Sequence, residues 1–396
     1  MQARNEAFIV SSVRTAVGKA KRGGLRDYRP EDMGSAVVRA AIDRVGGLTN
    51  DMIDDVIIGC AYPEGPQGMN MGRIIALKAG LPDDVPGATV NRFCSSGLQT
   101  IAMASQAIGA GHARVVVAGG TESMSQVPMS GFYFSPDPDL VDSRAESYVS
   151  MGNTAENVAE RYKVSREDQD AFSLRSHQRA LDAITQKRFD SEIVPLKVGR
   201  ADVVDGERVE SESVVDTDEG PRSDSTIEAL AALKPVFRKG GTVTAGNSSQ
   251  MSDGAAAAVV MASEVAEALG VDPLGRIVGY AVAGVAPDVM GVGPIPAVRK
   301  VLRQTGLALG DIGLVELNEA FASQALVVIR ELGFDPEIVN VNGGAIALGH
   351  PLGCTGAKLT ATLLNEMVRR KTRYGICTMC IGGGMGAAAV IENLRV

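Results

Sequence analysis

The sequence has no tryptophan, only three histidines and an aromatic content of 4% in 396 residues. It also lacks an excess of basic residues, since its formal net charge is −8 at pH 7. A protein that neutralises nucleic-acid phosphates needs a basic surface, so nucleic-acid binding is not expected. No run of about 18 apolar residues occurs, and we therefore expect no membrane span. A hydrophobic content of 45% instead predicts a globular protein with two or three cores.

Cysteines are too few and too irregularly spaced for a disulfide framework. Five are present, an odd number, which favours a reducing compartment. The N-terminal residues up to Lys19 carry charges within their only apolar run and contain no apolar stretch of signal-peptide length. We therefore expect a cytoplasmic protein.

Cys94 lies in the segment ATVNRFCSSGLQTIAMASQAIG, which begins like a short buried strand and continues with apolar residues at helical spacing. This pattern predicts that Cys94 occupies a strand-to-helix junction. Unpaired N–H groups and the helix dipole favour an anion there, so the thiol is expected to become a reactive thiolate. Taken alone, a cysteine of this kind is more often a small buried side chain.

Strands and helices alternate along the chain, which predicts an α/β protein with a mostly parallel sheet. The order helix, Gly stop, Asp-led turn and strand of residues 35–60 recurs in residues 296–318. Two later segments, 339–358 and 374–384, correspond in order to 90–99 and 115–125. Chance similarity between α/β segments is the alternative, and we favour two duplicated halves whose equivalent helix starts face one another.

A different kind of sequence separates the halves. It includes the aromatic, proline-rich loop VPMSGFYFSPDPDL, a helix with a capping box at Ser165 and an acidic, turn-rich tract. Such an insertion covers or binds part of a ligand, although a solvated surface excursion fits the composition equally well. We predict an N-terminal half of residues 1–125 plus 242–272, an inserted loop lobe of residues 126–241, and a C-terminal half of residues 273–396.

His350 is the histidine with a catalytic setting. It lies between two glycine turns in GGAIALGHPLGCTG, and Pro351 follows at the expected start of a helix. The repeat makes that helix start the partner of the one carrying Cys94, and a histidine beside a cysteine generates a thiolate by proton transfer. His112 and His177 are most simply surface or hydrogen-bonded side chains.

Cys380 ends a predicted strand and precedes the glycines of IGGGMG, whose N–H groups could stabilise an oxyanion. Cys377 and Cys380 have CxxC spacing, so redox or metal use is an alternative. No second CxxC or histidine pair completes a zinc site, and we expect no metal. Asn318 heads NEAFASQ, either as a simple helix N-cap or as an amide that holds a water or an oxygen atom.

Four segments in order, NRFCSSGLQ, NEAFASQ, GGAIALGHPLGCTG and CIGGGMGAA, resemble the signature regions of the thiolase family. The resemblance runs along the whole chain and implies the thiolase-like fold, with duplicated α/β halves stacked in αβαβα layers. It implies that Cys94 becomes acylated, that His350 takes its proton, and that Cys380 is the acid and base. Asn318, through a water, and His350 would hold the thioester oxygen, and the N–H groups of Cys94 and Gly382 would form a second oxyanion hole.

The resemblance also implies that coenzyme A is a substrate and that its binding site is lined by Arg222, Ser249, Phe321 and Met151. No permanently bound cofactor is expected. The family further implies a homodimer or homotetramer and, for some degradative members, an enoyl-CoA hydratase/3-hydroxyacyl-CoA dehydrogenase partner.

The motif details resemble degradative 3-ketoacyl-CoA thiolases more than biosynthetic ones. Ser150 also stands before Met151, where biosynthetic members often have a histidine. We therefore expect thiolytic cleavage of 3-ketoacyl-CoA to acetyl-CoA and a shortened acyl-CoA, as in fatty acid β-oxidation. The alternatives are acetoacetyl-CoA synthesis by an acetyl-CoA C-acetyltransferase, a cysteine hydrolase, and a non-catalytic lipid-binding relative, which would need none of the four catalytic side chains.

Overall fold

The protein is described here by a computed structural model that covers residues 6–204 and 206–396, with only the backbone considered for residues 200–204. Its helices, α1 to α12 in chain order, are Pro30–Asp43, Met71–Lys78, Ser96–Gly109, Pro138–Arg144, Met151–Arg161, Arg166–Thr185, Ile227–Ala231, Ser263–Leu269, Pro294–Thr305, Ala322–Leu332, Ala345–Leu348 and Leu352–Arg370. Its strands, β1 to β13, are Ala7–Thr15, Gly18–Lys19, Asp55–Gly59, Gly87–Val90, Val115–Ser123, Ile193–Val194, Leu196–Val204, Glu207–Val215, Ser252–Ala262, Gly275–Gly284, Leu314–Leu317, Tyr374–Ile381 and Met385–Asn393.

Nine of the described strands form two equivalent sets that meet at one point, whereas β7 and β8 form a separate sheet. The first set has the order β1-β9-β5-β3-β4 and the second has the order β10-β13-β12-β11, and a single pair, Ile9 with Gly275, joins β1 to β10. Going outward from this pair, β1, β9, β5 and β3 of the first set correspond to β10, β13, β12 and β11 of the second. Beyond β11, a parallel bridge between Val315 and Val339 continues the second set as β4 continues the first. This correspondence supports the predicted duplication.

The expectation of a mostly parallel sheet is wrong for the centre of each set. β9 pairs antiparallel with both β5 and β1, and β13 pairs antiparallel with both β12 and β10. The outer pairs, such as β3 with β5 and β11 with β12, are parallel. A strand covered on both faces is continuously apolar in either direction, so the apolar run of β9 could not reveal its direction.

Helices lie on both sides of each strand set, which produces the expected αβαβα layers. Helix α1 packs against β9, β5 and β1, and α9 packs against β10, β13 and β12. Helices α3 and α12 lie between the two sets and contact strands of both. Within the described residues, none of the helices has the length and apolar character that crossing a bilayer requires.

The two central helices approach each other at backbone distance because glycines face each other at the contact. A Cβ on Gly97 would lie 2.7 Å from the main-chain nitrogen of Ala357, and a Cβ on Gly356 would collide with the main chain of Leu98. No larger side chain fits at either position without separating the helices. The equivalent helix starts therefore face each other, as the repeat predicts, and they carry Cys94 and His350 to the centre of the molecule.

Candidate active site

Cys94 lies where the sequence places it, between strand β4 and helix α3, in a short 3₁₀ turn over Phe93–Ser95. Phe93 has a φ of 43°, an unusual conformation for a bulky residue. Two hydrogen bonds hold the turn: the Phe93 N–H donates to Asn91 Oδ1 at 2.8 Å, and the Ser96 hydroxyl donates to the Phe93 carbonyl at 2.7 Å. Strain of this kind is typical of functional turns, where it orients a reactive side chain.

The resting state of Cys94 differs from the predicted thiolate. Burial raises the pKa of its thiol to about 12, although the main-chain N–H groups of Gly382 and of Cys94 itself favour the thiolate and oppose the increase. Desolvation of the anion therefore outweighs the helix start, and Cys94 is a thiol at neutral pH. A base must remove its proton before it can attack a carbonyl carbon.

Cys380 reaches the same place from the other end of the chain. It lies near the end of β12, before the turn in which Gly383 and Gly384 have φ values of 80° and 84°. This turn brings Gly382 next to the turn of Cys94, since a Cβ on Gly382 would lie 3.7 Å from the Phe93 ring. Burial, and then the nearby Cys94, raise the pKa of the Cys380 thiol well above its usual value. Cys380 is therefore a protonated thiol that shares a site with Cys94.

His350 lies just before helix α12, in a buried loop that follows α11. Its main-chain N–H donates to the Ser252 hydroxyl at 3.1 Å and to the Gln250 carbonyl at 3.2 Å, which fixes the loop to strand β9. Burial, and then the charge of Lys358, lower the pKa of the imidazole to about 3. The ring is therefore neutral at pH 7 and available to accept a proton.

Asn318 follows strand β11 and turns its amide toward His350. Its Nδ2 atom lies 3.3 Å from His350 Nε2, and its Oδ1 atom is buried without a hydrogen-bond partner in the protein. The simple N-cap interpretation is wrong, because the N-cap of the next helix, α10, is Phe321. An unpaired buried amide oxygen is costly, so the site suits a bound water or a polar ligand at Oδ1.

Met151, Phe321 and Cys380 belong to one apolar cluster, which lines the approach to the Cys380 thiol. A Cβ on Gly382 would lie 3.4 Å from the Met151 sulfur, and Phe237 packs edge-on against Phe321 with ring centroids 6.1 Å apart. Ser249 lies beside this cluster, since its N–H donates to the Ala320 carbonyl at 2.9 Å. The structure thus places three of the four residues predicted to contact coenzyme A, Met151, Phe321 and Ser249, in or beside the cluster of Cys380.

Arg222 lies in a groove of about 420 Å³ that has a basic wall formed with Lys19 and Arg22. Gln250 also lines this groove, and its carbonyl binds the main chain of His350, so the groove adjoins the catalytic loop. His177 forms part of the lining, and its Nδ1 atom accepts the Arg222 N–H at 3.2 Å. His177 is therefore hydrogen-bonded as expected, but it is buried rather than on the surface.

Sequence reasoning missed several residues around the site. The buried Glu122 carboxylate accepts the main-chain N–H groups of Ala61 and Gly353 at 2.7 Å each, and so ties the loop after β3 to the start of α12. Thr355 lies against the His350 ring. Glu219 holds the basic loop by accepting the Lys19 N–H at 2.9 Å. The sequence shows only that these residues carry a carboxylate or a hydroxyl, and such a side chain does not reveal which distant residue it binds by a hydrogen bond.

Cys377 and Cys380 lie in different hydrophobic clusters, because residues three apart on a strand face opposite sides. They cannot jointly bind one metal ion. We therefore expect Cys377→Ala to keep thiolysis activity within about twofold and to lower the free energy of unfolding by about 1 kcal/mol, through loss of a buried sulfur. Steady-state assays and thermal melts test this expectation. A large loss of activity without unfolding would restore a functional role for the CxxC pair.

Comparisons with known proteins cover nearly the whole chain. Residues 7–264 match the thiolase N-terminal domain family and residues 271–393 match the thiolase C-terminal domain family. A 3-ketoacyl-CoA thiolase of Bacillus subtilis (strain 168) is 56% identical over 388 residues, which cover 98% of this chain and 99% of the relative. An acetyl-CoA acetyltransferase of Escherichia coli (strain K12) is 47% identical over 400 residues, which cover 98% of this chain and 99% of the relative.

Solved structures give the same result. A crystal structure of human mitochondrial 3-ketoacyl-CoA thiolase is 39% identical, with a TM-score of 0.89 and coverage of 98% of this chain and 99% of that chain. A crystal structure of the Bacillus anthracis acetyl-CoA acetyltransferase is 43% identical, with a TM-score of 0.89 and coverage of 99% and 100%.

Proposed function

Because this chain belongs to the thiolase family, we propose that it cleaves 3-ketoacyl-CoA with coenzyme A, giving acetyl-CoA and an acyl-CoA shortened by that unit. One observation carries the proposal: the turn that holds Cys94, in the N-terminal part of the chain, packs against strand β12, which carries Cys380 in the C-terminal part, and a Cβ on Gly382 would lie 3.7 Å from the Phe93 ring. Leu352, two residues after His350, belongs to the same apolar cluster as Cys94. Two thiols and a neutral imidazole would thus share one buried site, as acyl transfer through an acyl-cysteine requires.

The reaction proceeds in two steps. His350 Nε2 takes the proton of Cys94, whose sulfur attacks the 3-keto carbon, and the bond between carbons 2 and 3 breaks. Cys380 then gives its proton to carbon 2 of the leaving acetyl-CoA enolate. In the second step the Cys380 thiolate takes the proton of an incoming coenzyme A thiol, which attacks the acyl group on Cys94. Cys94 recovers its proton from His350.

Negative charge forms on oxygen twice in this reaction, and the site has donors for both occasions. The N–H groups of Cys94 and Gly382 would stabilise the tetrahedral intermediate on the cysteine. Protonated His350, together with a water held by Asn318, would stabilise the enolate oxygen. Each such donor is typically worth about 3 kcal/mol in transition-state stabilisation. The buried Asn318 Oδ1 has no hydrogen-bond partner in the described part of the protein, which supports the proposal that it binds this water.

The degradative reaction is the version that we propose, with fatty acid β-oxidation as its setting. Its support is the relative named 3-ketoacyl-CoA thiolase at 56% identity, compared with 47% for the Escherichia coli acetyl-CoA acetyltransferase. Thiolysis rates for a series of substrates from acetoacetyl-CoA to 3-ketohexadecanoyl-CoA test it. We expect kcat/KM to rise beyond acetoacetyl-CoA. Activity confined to acetoacetyl-CoA would instead assign the chain to acetyl-CoA acetyltransfer.

Coenzyme A is proposed to lie with its acyl end against Met151, Phe321 and Ser249 and its nucleotide in the groove of Arg222. It is a substrate here, and the proposal needs no permanently bound cofactor. The basic wall of the groove, Lys19 and Arg22, suits the phosphates of the nucleotide, because cations at a groove rim form charge-assisted hydrogen bonds with phosphate oxygens.

The Lys19→Ala and Arg22→Ala variants should raise the KM for coenzyme A about 3- to 10-fold, with kcat unchanged. The same variants should change the KM for dephospho-coenzyme A, which lacks the 3′-phosphate, less. Lys21→Ala is the matched control, because Lys21 is in the same loop but does not line the groove. An equal effect on both cosubstrates would place the 3′-phosphate elsewhere.

We assign residues 126–241 to a lobe that covers the coenzyme A site, between an N-terminal half of residues 1–125 plus 242–272 and a C-terminal half of residues 273–396. We also propose a cytoplasmic homodimer or homotetramer, working beside an enoyl-CoA hydratase/3-hydroxyacyl-CoA dehydrogenase. Analytical ultracentrifugation of the full chain, alone and with such an enzyme, measures both associations.

A further inference from the structure

The hydroxyl of Thr355 lies between the imidazole of His350 and the carbonyl of Pro351. Its oxygen is 2.6 Å from His350 Nδ1 and 2.8 Å from the Pro351 carbonyl oxygen. Thr355 is fully buried in the first turns of helix α12. No solvent competes for its hydrogen bonds, so the directions of these two contacts can be worked out.

A carbonyl oxygen can only accept, so the hydrogen between Thr355 and Pro351 must come from the hydroxyl. The hydroxyl has only one hydrogen, which it donates to the Pro351 carbonyl, so it can only accept a hydrogen bond from His350. The short contact with His350 Nδ1 therefore requires a hydrogen on Nδ1. In a neutral imidazole this leaves Nε2 with its lone pair. The orientation of Asn318 agrees, since the group it presents to Nε2 at 3.3 Å is its NH₂ donor.

We propose that Thr355 is a positioning residue that fixes the tautomer of His350, so that Nε2 carries no hydrogen and its lone pair can receive the proton of Cys94. The inference rests on the acyl-transfer function proposed above. With the other tautomer, Nε2 would already carry a hydrogen and could not act as the base. Thr355 thus fills the role that a carboxylate fills in serine-protease triads, but with an uncharged acceptor.

The hydrogen bond to Thr355 persists through the reaction. When the Cys94 proton moves to Nε2, the ring becomes a cation and the Nδ1–H bond to Thr355 strengthens, since hydrogen bonds from charged donors are the stronger ones. Two nearby charges oppose the proton transfer, since Lys358 on helix α12 disfavours the His350 cation and Glu122 disfavours the Cys94 thiolate. Thr355 is the neutral group that favours proton transfer.

The test compares Thr355→Val, which keeps the shape but removes the hydroxyl, with Thr355→Ser, which keeps the hydroxyl. Thr360→Val is the matched control, because Thr360 is buried in the same helix and makes the same kind of bond, to the Gly356 carbonyl at 2.8 Å, away from His350. The measurements are kcat, the KM for coenzyme A, thermal melting, and the rate of Cys94 alkylation by iodoacetamide as a function of pH.

Thr355→Val should lower kcat and the alkylation rate near neutral pH about 10- to 100-fold, with the KM for coenzyme A unchanged. Its alkylation rate should recover at higher pH, where hydroxide replaces the base. Thr355→Ser and Thr360→Val should behave like the wild type. Wild-type alkylation in Thr355→Val, or an equal loss in Thr360→Val, would overturn the inference. Alkylation of Cys94 does not require turnover. If the wild-type protein showed no thiolysis, the proposed function would be refuted, but the alkylation rates would still test the role of Thr355.

Discussion

Replacing Cys94 with Ala should reduce thiolysis by about 10⁴-fold or more, because the residue supplies the covalent step rather than one hydrogen bond among several. The reaction would otherwise require direct attack of coenzyme A on the 3-ketoacyl chain. The variant should also form no acyl adduct when mixed with substrate, whereas the wild type gains the mass of one acyl group. Intact-protein mass spectrometry after rapid quenching measures the adduct.

Alkylation gives an independent check of the same residue. Cys94 is 8% exposed, whereas each of the other four cysteines is at most 1% exposed. Iodoacetamide should therefore modify one residue, Cys94, and abolish activity, and prior acylation by substrate should protect it. Cys377→Ala is the matched control, since it removes a buried thiol outside the site and should be alkylated and inactivated like the wild type. Activity that persists after complete Cys94 modification would exclude the nucleophile assignment.

Replacing Cys380 with Ser should separate the two steps. Acylation of Cys94 by a thioester with an acidic leaving thiol should remain, because that leaving group departs without a proton. Turnover with 3-ketoacyl-CoA and coenzyme A should fall about 10²- to 10⁴-fold, the range expected for loss of a general acid and base. A hydroxyl is a much weaker acid than a thiol and cannot protonate the enolate or deprotonate coenzyme A effectively.

Exchange of the C2 hydrogens of acetyl-CoA with deuterated water gives a direct readout for Cys380. We expect Cys380→Ser to lose this exchange, which Cys377→Ser should retain. If Cys380→Ser lost acylation of Cys94 as well as hydrogen exchange, the substitution would have disrupted the whole site, and the loss could not be assigned to a missing acid and base. Normal steady-state thiolysis by Cys380→Ser would remove Cys380 from the mechanism.

The local features of the fold could be predicted from the sequence. The turn at Cys94, the helix start after His350 and the strand ending near Cys380 all follow from short-range patterns of apolar residues and glycines. The duplication was also detectable, because two segments of similar pattern fold into similar units. The direction of the strands could not be predicted, because the antiparallel strand β9 is as apolar as a buried parallel strand would be.

By itself, the sequence determined the order of its elements, the duplication and the four segments that resemble thiolases, because each depends on residues close together in the chain. Only the tertiary structure decided that Cys94 rests as a thiol, that Thr355 faces His350 Nδ1, and that Lys19 and Arg22 join Arg222 in one groove. The physical reason is that desolvation, hydrogen-bond direction and clustering of charges depend on which distant residues become neighbours. No local pattern specifies those neighbours.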